Sequence, residues 1–187
     1  DYLAYLDLLA EWCGECGVEI LAYCLMPNHF HLMAVPRDKD GFARAIGETH
    51  RRYTRLVNFR ENWRGYLWQG RFSSFPMEKR YATACARYIE LNPVRAKLVK
   101  RPEMWPWSSC KAHLNGEKDR LIKSPRPLRN ALEWATLLEG GMDESHDLRK
   151  HERTGRPLGS EAFINRLERV LERALKPGLP GRKRKDE

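Results

Sequence analysis

No stretch of this chain is apolar for anything near the roughly 20 residues that a bilayer-spanning helix needs. No Lys- or Arg-led leader with an apolar core opens it either. A membrane-surface helix would set clustered lysines opposite an apolar face, and no segment does so clearly. The expectation is a cytoplasmic protein with no membrane role. Cysteine is sparse and odd in number: Cys13, Cys16, Cys24, Cys85 and Cys110. Without a secretion leader, that count points to free thiols in a reducing compartment, not to a disulfide framework. Cys13-Gly14-Glu15-Cys16 has the spacing of half a zinc site, but no second Cys-x-x-Cys or His-x-x-x-His follows, which excludes a zinc finger. Internal repeats are absent. Acidic residues are outnumbered, 25 against 34 Lys and Arg, leaving a net charge of +9 and a pI near 9.5. Such a balance favours polyanionic partners, nucleic acid above all.

What is present suffices for a core: 187 residues, 42% hydrophobic, with six tryptophans. Residues 1–16 carry a helical stripe of Leu3, Leu6, Leu9, Ala10 and Cys13, with Tyr2, Tyr5 and Trp12 beside it. Residues 18–26 are β-rich, Pro27-Asn28 signals a turn, and 29–35 read as an antiparallel return strand. A helix is predicted over 42–59, with Phe42, Ala45, Ile46, Thr49, Tyr53, Leu56 and Val57 on one face. Its other face carries Arg44, His50, Arg51, Arg52, Arg55 and Arg60, which serves equally as a solvated face or as a phosphate-facing stripe. Residues 66–77 look β-like and aromatic, and 78–100 helical with a break at Asn92-Pro93. A loop at 105–109, short helices near 110–114 and 131–138, and a linker at 154–160 follow. Ser160 then caps a helix whose face carries Phe163, Ile164, Leu167, Val170, Leu171 and Leu175.

Three groups of residues bear chemistry. His29 and His31 alternate along a strand, so they point the same way, about 6.6 Å apart along the chain. Two imidazoles so placed can share one divalent ion, or simply stand half-exposed on a sheet face. Tyr88 and Asn92 are spaced i, i+4 and would share a helix face. Because Pro93 disfavours a helical residue before it, Asn92 also suits an N-cap, and Tyr88 a core aromatic with its hydroxyl at the surface. Arg71 between Trp68 and Phe72 is a cation-plus-ring mix that binds unstacked bases, or two core rings beside a surface arginine. The end, residues 177–187, carries Arg182, Lys183, Arg184 and Lys185 and is expected to be a disordered basic arm, DNA-contacting or solubilising.

The order His29-Phe30-His31, then Tyr88-Ile89-x-x-Asn92-Pro93, resembles the single-tyrosine HUH transposases, and within them the REP-associated tyrosine transposases. Met26-Pro27-Asn28, Leu67-Trp68-Gln69-Gly70-Arg71-Phe72, Asn92-Pro93-Val94-Arg95-Ala96, Trp105-Pro106-Trp107-Ser108-Ser109 and Gly155-Arg156-Pro157-Leu158-Gly159 match that group's style in the same order. The resemblance implies an α+β fold: a ferredoxin-like antiparallel sheet with helices on one face and a strand ahead of the first helix. It implies a catalytic domain over 1–115, a helical extension over 116–176 and the basic tail. His29 and His31 would ligate Mg²⁺ or Mn²⁺ with Asn92 as a third polar ligand. Tyr88 would attack a DNA phosphodiester, leaving a 5′-phosphotyrosine. The substrate implied is hairpin DNA with a single-stranded cleavage site at its foot. Arg51, Arg52 and Arg55 and the tail are the candidate duplex contacts, and a monomer is expected. Tyr81, two turns before Tyr88, lacks the Ile-x-x-Asn context. Two other readings are a relative that grips hairpins without cutting and an RNA-binding ferredoxin-like protein; the second leaves the order of the motifs unexplained.

Overall fold

The computed structural model describes residues 1–123, 131–139 and 145–176. Arg182, Lys183, Arg184 and Lys185 lie outside the described residues. The chain divides into two compact units, residues 1–72 with 83–144, and residues 73–82 with 145–187.

The first unit is α+β, as expected. Helix α1 (Tyr2–Glu15) turns into strand β1 (Val18–Leu25), and β2 (Phe30–Pro36) returns antiparallel. Helix α2 (Gly41–Glu61) packs on α1. The buried stripe of α1 is Tyr5, Leu6, Leu9 and Cys13. Leu3, expected in that stripe, is 50% exposed, because it sits about 100° round the helix from the stripe's centre. Tyr5 replaces it, ringed by Phe30, Tyr53, Trp68 and His50. On α2, Ala45, Ile46, Thr49 and Val57 are buried as the spacing predicts, while Leu56 is largely exposed. Gly41 opens α2 against the end of α1: a Cβ there would meet the Cys16 carbonyl oxygen at 2.7 Å. Only glycine allows so close an approach.

The register pairs Cys24 with His31 and Leu25 with Phe30, with an irregularity between Ile20 and Ala22. Alternation sends Phe30 into the aromatic cluster of α1 and α2 and leaves His31 on the other face. The outer edge of β1 is not bare. Segment 105–109, expected as a plain loop, lies against it through a Cys24–Ser108 bridge and bonds from Leu25 N to Trp107 O and from Ser109 N to Tyr23 O. Trp105 Nε1 donates to Leu25 O at 2.9 Å, and Trp107 stacks on Tyr2. The sheet among the described residues therefore has two strands and one short edge segment.

Helix α3 (Ala82–Glu90) is followed by the single turn α4 (Asn92–Arg95). Helix α5 (Cys110–Asn115) and α6 (Ala131–Glu139) pack on each other. Leu121 and Ile122 reach the same core as α1 and β1, so the chain just after 115 builds the first unit. Residues 66–77, expected as β-like, form no strand: their one pairing is the Met77–Leu158 bridge. Half-buried Trp68 and Phe72 explain the aromatic pattern, because they pack on helices and not in a sheet.

In the second unit, α7 (Ser145–Thr154) and α8 (Glu161–Leu171) accompany the 3₁₀ turn Lys79–Tyr81. Ser160 caps α8 as predicted, its hydroxyl accepting from Phe163 N at 3.2 Å. Glu78 accepts from Ser160 N, which holds its carboxyl below the usual range. The helix ends at Leu171 and not beyond Leu175. Glu172 takes a left-handed φ of 48°, and the Glu168 carboxylate accepts from Leu175 N and Lys176 N.

Candidate active site

The turn Pro27-Asn28 delivers His29 just before β2, one residue short of the strand, with His31 inside it. The two Nε2 atoms converge to 3.1 Å, well inside the spacing that alternation along an extended strand gives. The Asn28 side chain orients the first ring: its Oδ1 accepts from His29 Nδ1 at 2.7 Å. With the proton on Nδ1, the neutral ring offers its Nε2 lone pair outward, the arrangement that metal-binding imidazoles use. A turn signal in the sequence accounts for Asn28; its hold on the His29 ring depends on the tertiary geometry.

Across from the histidines stands Tyr88, on α3. Its ring lies 5.8 Å from that of His31, edge to face. The residue is buried, 8% exposed. Arg95, carried by α4, lays its guanidinium 4.4 Å above the same ring and donates to Tyr88 O at 3.1 Å. A cation on an aromatic face is held by the ring quadrupole. Arg95 was missed as a site residue, although the motif Asn92-Pro93-Val94-Arg95 contained it.

Asn92 departs from the expected capping part. Leu91 precedes α4 with helical φ and ψ, so the chain passes almost without a break from α3 into α4. The Asn92 amide instead donates to Tyr88 O at 3.0 Å and to Ile89 O at 3.4 Å. Carbonyls at a helix C-terminus lack partners within the helix, and a side-chain amide supplies them. Its nitrogen is committed to α3, and its Oδ1 is the end with the lone pairs that a hard cation would need.

A divalent ion fits this donor set in part. Two ligands at right angles on an octahedral ion, each about 2.1 Å away, stand about 3.0 Å apart, close to the spacing of the two imidazole nitrogens. The same distance suits a hydrogen bond between the rings. Among the described residues no cluster of three or more His, Cys, Asp or Glu gathers around a metal position. The pair needs an amide, water or phosphate oxygen beside it.

Beneath the tyrosine lies a buried network that the sequence reading passed over. Glu90, two residues after Tyr88, is fully buried. Its Oε1 accepts from Ser109 Oγ at 2.6 Å and His113 Nδ1 at 2.5 Å, and its Oε2 from Trp134 Nε1 at 2.9 Å. Ser109 also bonds the backbone of Tyr23 on β1. One carboxyl group therefore ties the helix that carries Tyr88 to α5, α6 and β1. The signal was there: an acidic residue inside an otherwise apolar helical stripe.

The expected nucleic-acid residues scatter. Arg51 pairs with Glu48 at 2.6 Å, Arg52 stacks over Trp12, Arg44 bonds Cys16, and Arg60 pairs with Asp1 and Glu61. Of that face, His50 is half-buried between Tyr5 and Trp68, and burial lowers its pKa to about 4. Arg55 has no ion pair among the described residues. Trp68 stacks on His50 with ring centroids 3.9 Å apart, and Phe72 packs edge-on against Phe42. Both rings are thus engaged by their own chain, and only Arg71 of that trio is exposed. Tyr81 falls in the second unit, with Arg80 over its ring.

A histidine pair thus stands opposite a helix-borne tyrosine on an α+β frame. The family model described as IS200-like transposase matches residues 2–92, from α1 to Asn92, just under half of the chain. The match contains His29, His31 and Tyr88 and stops at Asn92. More particularly, the chain is 28% identical to a Haemophilus influenzae protein provisionally named a REP-associated tyrosine transposase, over 63% of this chain and 73% of that one. It is 25% identical to the REP-associated tyrosine transposase of Escherichia coli, over 49% of this chain and 53% of the relative. No solved structure gives a significant match. Among the described residues no helix is long and apolar enough to cross a membrane.

Proposed function

We propose that the protein cleaves single-stranded DNA beside a hairpin and transfers the strand, with Tyr88 as nucleophile. The observation that carries this reading is the convergence of His29 and His31 at 3.1 Å with the Tyr88 ring standing 5.8 Å from His31. Tyr88 Oη gives up its proton and bonds to phosphorus while the bond from phosphorus to the 3′-oxygen breaks. The departing oxygen takes a proton and becomes a 3′-hydroxyl. The 5′-phosphate stays on Tyr88. One phosphodiester has replaced another, so a second 3′-hydroxyl can reverse the step nearly without cost, and no ATP is needed.

The residue types suit the task. A phenol with pKa near 10 is a weak nucleophile at neutral pH, and the anionic phosphate repels attack. His29 and His31, with Asn92 Oδ1, would hold Mg²⁺ or Mn²⁺, which supplies charge neutralisation at the phosphate and fixes its orientation. Arg95 and the Asn92 amide restrain the tyrosine from behind, on its ring face and carbonyl. The net charge of +9 suits a polyanionic substrate.

The test is a labelled DNA hairpin with a single-stranded flank, incubated with Mn²⁺ and resolved on a denaturing gel. Wild type and Tyr81→Phe are expected to yield a protein–DNA adduct, and Tyr88→Phe none. An adduct that survives in Tyr88→Phe overturns the assignment, and binding without any adduct in the wild type indicates a non-cutting hairpin binder.

A further inference from the structure

At the far end of α2 the protein shows large rings to solvent. Phe59 is 90% exposed and Trp63 59%, and Tyr66 is fully exposed. Monomeric proteins seldom leave neighbouring aromatics uncovered unless something binds there. Phe59 and Trp63 line one shallow groove of about 540 Å³ with Arg51, Arg55, Asn58 and Asn62. No carboxylate lines it.

The backbone beneath the rings is fastened down. Asn62 ends α2 in the left-handed conformation, φ 56°. Trp63 N then bonds Asn58 O at 2.8 Å, and the Asn58 side chain donates to Gly65 O at 2.9 Å. The loop carrying Trp63 and leading to Tyr66 is thereby strapped to the helix. Holding exposed rings on a tied backbone lowers the ordering cost of any ligand they stack on.

We infer that this surface is a stacking platform for unpaired nucleobases of single-stranded DNA, with Arg51 and Arg55 on the adjoining phosphates. The inference rests on the proposed action on DNA and extends it to a site outside the histidine–tyrosine centre. Ring faces interleaved with cations and amides are what sequence-tolerant single-strand binding uses. Arg55 has no ion pair among the described residues, and Arg51 exchanges only an exposed pair with Glu48 to reach a phosphate. A purely apolar protein partner would take the Arg55 guanidinium out of water with no counter-charge beside it.

The test uses fluorescein-labelled dT₁₅ and a blunt hairpin, with the full chain carrying Tyr88→Phe in EDTA, read by fluorescence anisotropy. Trp63→Ala is expected to weaken dT₁₅ binding about 5- to 150-fold, the range for one lost stack, and Trp63→Phe to restore most of it. Blunt-hairpin affinity should change less than twofold. Arg55→Gln should lower the salt slope for dT₁₅ by about 0.7. The inference is overturned if Phe59→Ala/Trp63→Ala/Tyr66→Ala binds dT₁₅ as the parent does. It is equally overturned if rU₁₅ is preferred, or if sedimentation shows the parent as a dimer that these substitutions dissociate. Because dT₁₅ binding needs no cleavage, a platform that works in a chain forming no adduct would count against the proposed reaction alone. An adduct formed by a chain whose platform variants bind normally would count against the platform alone.

Discussion

Replacing Glu90 should cost more stability than any surface acid in the chain, because three donors depend on its two oxygens. In Glu90→Gln the amide keeps one acceptor. Turned so that its oxygen serves Ser109 and His113, it faces Trp134 Nε1–H with its own N–H₂. One buried donor is then unsatisfied, at about 1–3 kcal/mol. Glu90→Ala leaves all three donors and a void, at about 3–5 kcal/mol. For a chain of this size each kcal/mol lowers Tm by about 2–4 °C. The expected falls are therefore about 2–12 °C for glutamine and about 6–20 °C for alanine, read by calorimetry. Trp134→Phe removes the orphaned donor, so Glu90→Gln in that background should cost at least 1 kcal/mol less than alone, by about the worth of the lost bond. A glutamine variant that melts within 1 °C of wild type, or a double-mutant coupling near zero, would refute the network. Since Glu90 anchors the helix that presents Tyr88, the alanine variant should also lose adduct yield at temperatures where it is still folded.

Acidification should act through His50. Its folded pKa is depressed to about 4 by burial, so between the ordinary value of 6.5 and 4 the unfolded chain binds the extra proton, and stability is full above that window and lost as pH falls through it. With the ring only part-buried and solvent screening the charge, the loss is about 1–2 kcal/mol; urea melts of wild type and His50→Gln from pH 7 to 4 should converge. Gly41→Ala should destabilise by about 1–3 kcal/mol through its clash with the Cys16 carbonyl. Gly47→Ala, with nothing within 4 Å of the new Cβ, should stabilise by about 0.5–1 kcal/mol; equal shifts in the two melting curves would sink that account. His29→Ala and His31→Ala should each cut adduct formation at least about 100-fold (about 2.7 kcal/mol of barrier) while hairpin affinity in EDTA changes less than threefold. Mn²⁺, which accepts nitrogen more readily, should support faster adduct formation than Mg²⁺ at equal concentration.

Much of the molecule could be read from residue order. Period-3.6 stripes located α1 and α2 to within two residues, and Ser160 announced α8, because capping and amphipathic burial are local rules. Where reading failed, a neighbour distant in sequence decided. Aromatic density at 66–72 looked like a strand, yet Trp68 and Phe72 fill gaps on helices whose shape the segment itself does not encode. On α2, Trp12, Cys16 and Asp1, each far along the chain, engage the guanidinium groups of Arg52, Arg44 and Arg60, which arginine spacing alone does not show. The exposed rings at Phe59, Trp63 and Tyr66 gave no sequence signal, since an aromatic in the chain does not say which side of it faces water.

By itself, then, the order of residues carried the likeness to one class of protein. His29-x-His31 and Tyr88-Ile89-x-x-Asn92 are short motifs whose chemistry rests on residue type and local spacing. Tertiary structure decided what those motifs can do together. It turned two imidazoles that alternation sets about 6.6 Å apart into a pair 3.1 Å apart, and brought a tyrosine from 57 positions downstream to the same face. It also recruited Glu90, Ser109, His113 and Trp134 to hold that tyrosine's helix in place. Distances across a fold depend on how whole elements pack, and no local pattern carries that information.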